Sequence, residues 1–455
     1  MKYKIYILFI LTVGLVSCQK EFLSEKTDKA LLIPKSLRDF QSLMDNLSVF
    51  NISPVMPDLA SDDFFTTAER INNFSGRYEK NAYIWADDID GGVTMSDWNV
   101  PYQQVFYSNV VLDGLMDYEL KSNEKQEFDR IKGSALFHRA FAFYNLVQLY
   151  AKPFDKSTAS SILGIPIRLT ADVNEKSVRA SLQQTYERII VDLKEAEILL
   201  PLSFSFSSRP NKVAVQALLA RIYLSMEEYE LALHYANEVL KINSTLIDYN
   251  TLSKTSSSPF PLTPNIFNTE ILFYSKTNSY SYSTSTNTTV EPNLYLLYNN
   301  NDLRRTIYFT GANPISFKGR YTGNIGALFS GLTTSEIFLI KAECEARIGD
   351  YLSAMSGLNA LLKTRYINTA PYISLNAENK MAALKIILEE RRKELVFRGL
   401  RWSDLRRLNR DINFQVTITR VLDGETYTLL PNSNRYTFPI PTIEVLRSGI
   451  QQNPR

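Results

Sequence analysis

Beyond residue 30, apolar side chains recur at spacings of three and four in stretch after stretch, the period of one face of an α-helix. Leu37, Phe40, Leu43, Met44 and Leu47 carry the pattern through residues 30–50. It resumes in "SDWNVPYQQVFYSNVVLDGL" through Trp98, Tyr102, Val105, Phe106, Asn109 and Leu112, with Pro101 suited to a first helical turn. In "IKGSALFHRAFAFYNLVQLYAKPF" the stripe is Ile131, Ala135, His138, Ala142, Leu146 and Leu149, and Pro153 stops it. These stripes predict an all-α scaffold.

Two later segments repeat each other. "AVQALLARIYLSMEEYELALHYANEVL" places Ala220, Tyr223, Ala232 and Ala236 on the tetratricopeptide pattern, with small residues where two antiparallel helices touch. "EIFLIKAECEARIGDYLSAMSGLNALL" keeps the spacing with Ala342 and Ala354, and Gly349-Asp350 makes the turn. The copies lie much further apart than the roughly 34 residues of a tandem array, so a large insertion separates them. Within it, "YSKTNSYSYSTSTNTTV" (residues 274–290) is too rich in Ser, Thr and Asn for a core element, and is expected to be a surface linker or a ligand contact.

The start of the chain changes the picture from fold to location. Lys2 and Lys4, the apolar run from Ile5 to Val16 and Ser17 form a secretory leader (residues 1–17), too short for a stop-transfer helix. Leu15, Val16 and Ser17 before Cys18 match the bacterial lipobox, which makes Cys18 the lipidated first residue of a lipoprotein and residues 18–29 its polar tether. Only Cys344 remains, so the mature chain forms no internal disulfide. Of 50 Lys and Arg, the leader removes Lys2 and Lys4, leaving 48 against 48 Asp and Glu; a mature charge near zero argues against nucleic acid as partner.

The residues give little support to catalysis. His138 and His234 are the only histidines, each within an apolar helical pattern, so no zinc site of three or four His and Cys ligands can be assembled. Nucleophile elbow, phosphate loop and dinucleotide fingerprint are all absent, and no cofactor is expected. Asp62, Asp63, Asp87, Asp88 and Asp90 are the carboxylates from which a glycosidase pair could be drawn, although the adjacent Asp62 and Asp63 point in different directions and one of them is expected to cap a helix. Binding is easier to build. The chain has 26 Tyr and 25 Phe, and sugar capture needs aromatic faces beside planar polar groups. The candidates in irregular stretches are Tyr83 and Trp85 beside Asp87 and Asp88, Trp98 with Asn99, Tyr280 and Tyr282, and Tyr321 with Arg320 and Asn324.

The most charged helical segment is "EERRKELVFRGLRWSDLRRLNR". Leu384, Ile387, Leu388, Arg391 and Leu395 set Arg391 on the apolar stripe, where it requires a partner such as Asp404 or a backbone carbonyl. Gly399 is placed to end this helix, and Trp402, Leu405 and Leu408 begin another. This run, with "FPIPTIEV" and "QQNPR" at the end of the chain, resembles the C-terminal motifs of SusD/RagB-type outer-membrane lipoproteins of Bacteroidetes. "SDWNVPYQQVFYSNVVLDGL", "IKGSALFHRAFAFYNLVQLYAKPF" and "NDLRRTIYF" match as well, so the resemblance spans the mature chain; it departs at Arg455, where the family more often has Gly and an aromatic after Asn-Pro.

The resemblance implies a tetratricopeptide-like helical scaffold with inserted loops and minor β elements. Its N-terminal half would be residues 30–235 and its loop-rich C-terminal half residues 236–455. It further implies a lid on a SusC-like TonB-dependent transporter that captures an oligosaccharide, or in some members a peptide, without chemistry. A helical-repeat protein-interaction module is the other reading. Under the resemblance Arg391, Glu394, Trp402 and Asp404 are scaffold, and no ligand residue carries over from the shared motifs.

Overall fold

The computed structural model describes residues 34–202, 206–260 and 268–455. The leader, Cys18 and the tether lie outside the described residues. The expected stripes become long helices: Ser96–Met116 packs along Lys125–Tyr150, and Leu182–Leu199 covers the other side of the latter. Seventeen of the residues in Lys125–Tyr150 are buried, far more than one stripe, because neighbours enclose it on several sides. Pro101 is interior to the Ser96–Met116 helix, not in its first turn, since the helix begins earlier than the spacing suggested. The pattern over residues 30–50 divides into Leu37–Met44, opened by a Ser36/Asp39 capping box, and Leu47–Phe50, opened by Asn46.

The repeats form two helix pairs, Lys212–Ser225 with Tyr229–Ile242 and Thr334–Ile348 with Tyr351–Lys363. Ala220, Ala232, Ala236, Ala342 and Ala354 are all fully buried, which lets the helices approach closely. Tyr229–Ile242 packs on Thr334–Ile348, so the insertion loops out and returns the second pair beside the first. Gly349 turns the chain with φ +109°, and Asp350 caps the helix that follows through Ser353 N–H. Residue 235 falls inside the Tyr229–Ile242 helix, and one hydrophobic core extends from Val55 to Ile450.

The β structure consists of short pairs, the longest being the antiparallel hairpin Ile418–Leu422 with Glu425–Leu429. Its Asp423-Gly424 turn has both residues at positive φ, as a primed two-residue turn requires.

The segment 274–290 departs from expectation. Lys276–Thr277 pairs in parallel with Ile52–Ser53, and Tyr282, Ser283, Thr288 and Thr289 are fully buried. A polar segment can occupy the interior here because its groups are satisfied: Thr288 Oγ1 donates to Tyr282 O at 2.8 Å and Ser283 Oγ to Asn278 O at 3.1 Å.

The charged C-terminal segment is also interior. Lys380–Glu394 and Arg401–Leu408 are separate helices; the first ends at Leu395, and Gly399 lies between them at φ +72°. Arg391 Nε meets Asp404 at 2.8 Å, the partner its position demanded. Arg304 bridges Asp302, Glu390 and Glu394, and Arg365 lies between Glu270 and Glu394 at 2.8 Å from each. These side chains are 0–5% exposed, so the "NDLRR" and "EERRKEL" motifs knot the insertion, the second repeat and the C-terminal helices into one buried ion network.

Candidate functional site

Five of the residues expected to meet ligand are built into the interior, against the exposure the sequence predicts, and a sixth, Trp98, is only 4% exposed. Tyr83 and Trp85 lie under the Arg420 guanidinium, 3.9 and 4.5 Å from its carbon, and the Trp85 indole donates to Ala60 O at 2.9 Å. Tyr282 packs edge-on against Phe64 at 4.6 Å. Arg320 donates to Ser283 O and Thr288 Oγ1, and Tyr321 donates to Glu270 at 2.8 Å. All five are at most 2% exposed. Aromatic and charged residues in irregular stretches signal packing as readily as binding, and here the loops wrap a second layer over the helices.

The carboxylates are similarly committed. Neither Asp62 nor Asp63 caps a helix: Asp62 takes a fork from Arg401 at 2.7 and 2.8 Å, and Asp63 accepts from Arg392 at 2.8 Å. Asp87 pairs with Arg435, Asp88 accepts from Gly91 N–H, and Asp90 holds Gly92 N–H and Thr442. Asn324 is exposed and accepts from Gly326 N–H. Among the described residues no group of three or more His, Cys, Asp and Glu is arranged to hold a metal, and no helix is long and apolar enough to cross a membrane.

Trp98 and Asn99 do come together at a cavity, of about 600 Å³, between the Ser96–Met116 helix and the 166–177 loop. Successive turns of the helix supply Trp98, Asn99, Tyr102, Gln103 and Phe106, and the loop supplies Arg168, Thr170, Val173 and Ser177. Trp98 is held by Tyr102 and Tyr150, each 4.8 Å away between centroids, so only its edge reaches the cavity; Asn99 and Gln103 are exposed and Phe106 is 38% exposed. Val173 on the opposite wall is 75% exposed, and Glu444 of the Thr442–Ser448 helix closes one end.

The opposing wall is fixed by the helix itself. Asn109 Nδ2 donates to Arg168 O and Thr170 O, both at 3.0 Å, while Arg139 Nη1 donates to Asn109 Oδ1 at 2.9 Å. Arg139 is in turn clamped by Asp192. Tyr102 Oη donates to Pro166 O at 3.0 Å; burial, and secondarily the Glu444 charge, push its pKa well above the usual phenol value, so it remains a donor. Arg168 ties the loop to itself through Glu175 O and Ser177 Oγ. The result is a preformed cleft with aromatic and apolar surface, free amides and one charge of each sign.

Sequence reasoning found two of these residues and missed the rest. Asn109 was the available signal: an amide on an apolar stripe must find carbonyl partners, and those it finds belong to the cavity wall. Tyr280 reaches the surface elsewhere, half-buried against Tyr78 with centroids 4.9 Å apart.

A third region, of about 540 Å³, is lined by Arg347, Arg410, Asp155, Glu227 and Asp411. Arg410 lies 3.0 Å from both Asp155 and Glu227 and Arg347 lies 3.1 Å from Asp411, while Lys152 on the same wall forms no ion pair among the described residues.

Comparison with known proteins agrees with this architecture. Residues 21–224 match a family model described as starch-binding and associating with the outer membrane, and residues 267–455 match the model of the SusD family. SusD-like protein P2 of Formosa agariphila is 27% identical over 168 residues, which are 36% of this chain and 30% of that protein. Among solved structures, a SusD superfamily protein of Bacteroides thetaiotaomicron is 21% identical with a TM-score of 0.72, covering 92% of this chain and 100% of that one. A putative sugar binding protein of Bacteroides vulgatus is 22% identical with a TM-score of 0.75, covering 93% and 99%. A laminarin binding SusD-like protein is 18% identical with a TM-score of 0.66, covering 92% and 98%. At these identities the structures establish the fold.

Proposed function

We propose that this chain, which belongs to the SusD/RagB family, captures a short oligosaccharide in the cleft of Asn99, Phe106 and Arg168 and hands it, unaltered, to a SusC-like TonB-dependent transporter. Members of the family are binding proteins, and the relatives described as starch-, sugar- or laminarin-binding support a carbohydrate ligand. The observation that carries the reading is the composition of the cleft. Phe106 and Val173 offer apolar surface to the C–H face of a pyranose ring. Asn99, Gln103 and Thr170 offer hydroxyl partners in two directions. The wall is held in place before any ligand arrives, which reduces the ordering cost of binding.

The lipobox supports an outer-membrane lipoprotein anchored through Cys18 and facing the cell exterior, where polymers are met before import. Peptide capture is the second reading, favoured by Arg168 and Glu444 at the same cleft. The chain beginning after Cys18 is incubated with mixed oligosaccharides and peptides, and what stays bound is identified by mass spectrometry. An intact glycan released by Phe106→Ala is expected. An intact peptide establishes the second reading, and shortened products refute capture without chemistry.

A further inference from the structure

A cavity of about 520 Å³ lies away from this cleft, between the 299–301 turn and the 366–375 segment, and shares no residue with it. No carboxylate, ammonium, guanidinium or imidazole lines it: the walls are Asn299, Asn300, Asn301, Tyr366, Tyr372 and Ile373, with Ala370 and Pro371 at the rim. In a chain with 22% charged residues, a cavity this size made of consecutive amides and two phenol rings is chemically selective. It offers hydrogen bonds and ring faces but no charge, so an ionic ligand finds no counter-charge there.

The walls are rigid. Leu303 N–H donates to Arg365 O at 2.8 Å and Ile367 N–H to Asn301 O at 2.9 Å, lacing the two segments together. Tyr366 and Tyr372 pack edge-to-face at 5.3 Å. Tyr372 Oη donates to Asn359 Oδ1 at 2.7 Å, and Asn359 Nδ2 donates to Leu375 O at 2.9 Å, which pins the far wall. Asn299 spends its oxygen on the backbone of Asn301 and Asp302 and donates to Tyr366 Oη at 3.2 Å. The Tyr366 hydroxyl hydrogen, the Asn300 amide N–H groups and the Asn301 side chain have no hydrogen-bond partner among the described residues. Ile373, 85% exposed, adds an apolar edge beside them.

We propose that this slot is a second saccharide site, selective for uncharged sugars. The choice of ligand class rests on the carbohydrate reading of the family; the location and the selectivity rest on the slot. Free amide donors and acceptors serve hydroxyl pairs, Tyr366 donates one further hydrogen bond, and the exposed parts of Tyr372 and Ile373 meet the C–H face. A second site on the same chain raises the residence of a polymer that reaches both, through effective concentration.

The test is calorimetry with maltohexaose and laminarihexaose, each against an acidic hexasaccharide of galacturonic acid, on the chain beginning after Cys18. Ala370→Trp fills the slot from its exposed rim and Asn301→Ala removes a free amide; neither disturbs a buried group. Phe106→Ala reports on the first cleft. The expected result is two binding events for an uncharged hexasaccharide, of which Ala370→Trp removes one and Phe106→Ala the other, with the acidic sugar absent from the slot. A single event abolished by Phe106→Ala and untouched by Ala370→Trp overturns the second site and leaves the first standing. A single event abolished only by Ala370→Trp overturns the first cleft instead. Absence of all saccharide binding, or a slot covered by protein in the transporter complex with binding indifferent to Ala370→Trp, also overturns the proposal.

Discussion

Replacing Arg365 by methionine keeps an apolar stem in place and removes the guanidinium. In the native fold that group is 0% exposed and is the centre of the ion network. It reaches Glu394 through Nε and Nη2, Glu270 at 2.8 Å and Ile247 O at 2.8 Å, and it stacks 4.1 Å from the Tyr249 ring. Some compensation survives its loss. Glu394 keeps Arg304 at 3.2 Å, and Glu270 keeps Tyr321 Oη and Ile247 N–H at 2.8 Å. A buried carboxylate that loses its counter-charge costs about 3–5 kcal/mol, and these remaining contacts set the expectation near the lower end, about 3 kcal/mol. The comparison is Arg435→Met, whose ion pair with Asp87 is 39% and 69% exposed and is worth under about 1 kcal/mol.

The penalty also carries a pH signature. Burial opposes the charge on Glu394, yet Arg365 and Arg304 hold its pKa below the usual range. Its native contribution is therefore present above the unfolded glutamate pKa and lost as pH falls through the folded value. Without Arg365 the carboxyl is pushed up instead and gains from protonation, so the gap between variant and parent narrows as pH falls. Urea unfolding followed by far-UV circular dichroism at pH 8 and pH 5 measures both effects. A loss no larger than that of Arg435→Met, or one indifferent to pH, refutes the reading of the C-terminal motif as a buried scaffold.

Two further expectations concern titration in the interior. His138, between Phe50 and Phe273, is buried and held neutral with its pKa pushed down by burial to about 3, so its contribution is complete above the unfolded value and is lost as pH falls. His138→Leu should remove roughly 3 kcal/mol of acid sensitivity between pH 7 and pH 4, read as a flatter plot of unfolding free energy against pH. Asp58 behaves oppositely: burial raises it to about 7, so its contribution is full below the unfolded carboxyl pKa and is lost as pH rises through 7. Asp58→Asn should keep the acceptor for Gly399 N–H, and its gain over the parent should be larger by roughly 2–3 kcal/mol at pH 8 than at pH 5, because part of the native contribution is already lost at pH 5, measured as unfolding free energy at each pH.

The helices were legible because burial on one or more faces leaves a period that composition cannot hide, and the repeat was legible because close helix contact demands Ala220, Ala232, Ala342 and Ala354. Arg391 declared its need for Asp404 for the same reason: a charge on an apolar stripe must be answered. The 274–290 segment was misjudged because hydropathy measures what a side chain prefers in isolation, whereas Thr288 and Ser283 enter the interior on local hydrogen bonds to Tyr282 and Asn278. The binding candidates divided on similar grounds. Nothing in the neighbourhood of Trp85 distinguishes a ring waiting for a ligand from one already under Arg420, and the cleft around Trp98 and Asn99 has a second wall supplied by a loop about seventy residues away in sequence, held there by Asn109.

Whether the cleft beside the Ser96–Met116 helix holds an uncleaved saccharide is decided by titration calorimetry of Phe106→Ala beside the unaltered chain. A lost aromatic platform is worth about 1–3 kcal/mol, a weakening on the order of tenfold to a hundredfold. Phe106→Ala should show that loss with an unchanged melting temperature, and Tyr280→Ala, at the pair with Tyr78, should show none. Equal binding by Phe106→Ala and the parent, with affinity lost on Tyr280→Ala, refutes the cleft and moves the site to the Tyr78–Tyr280 pair.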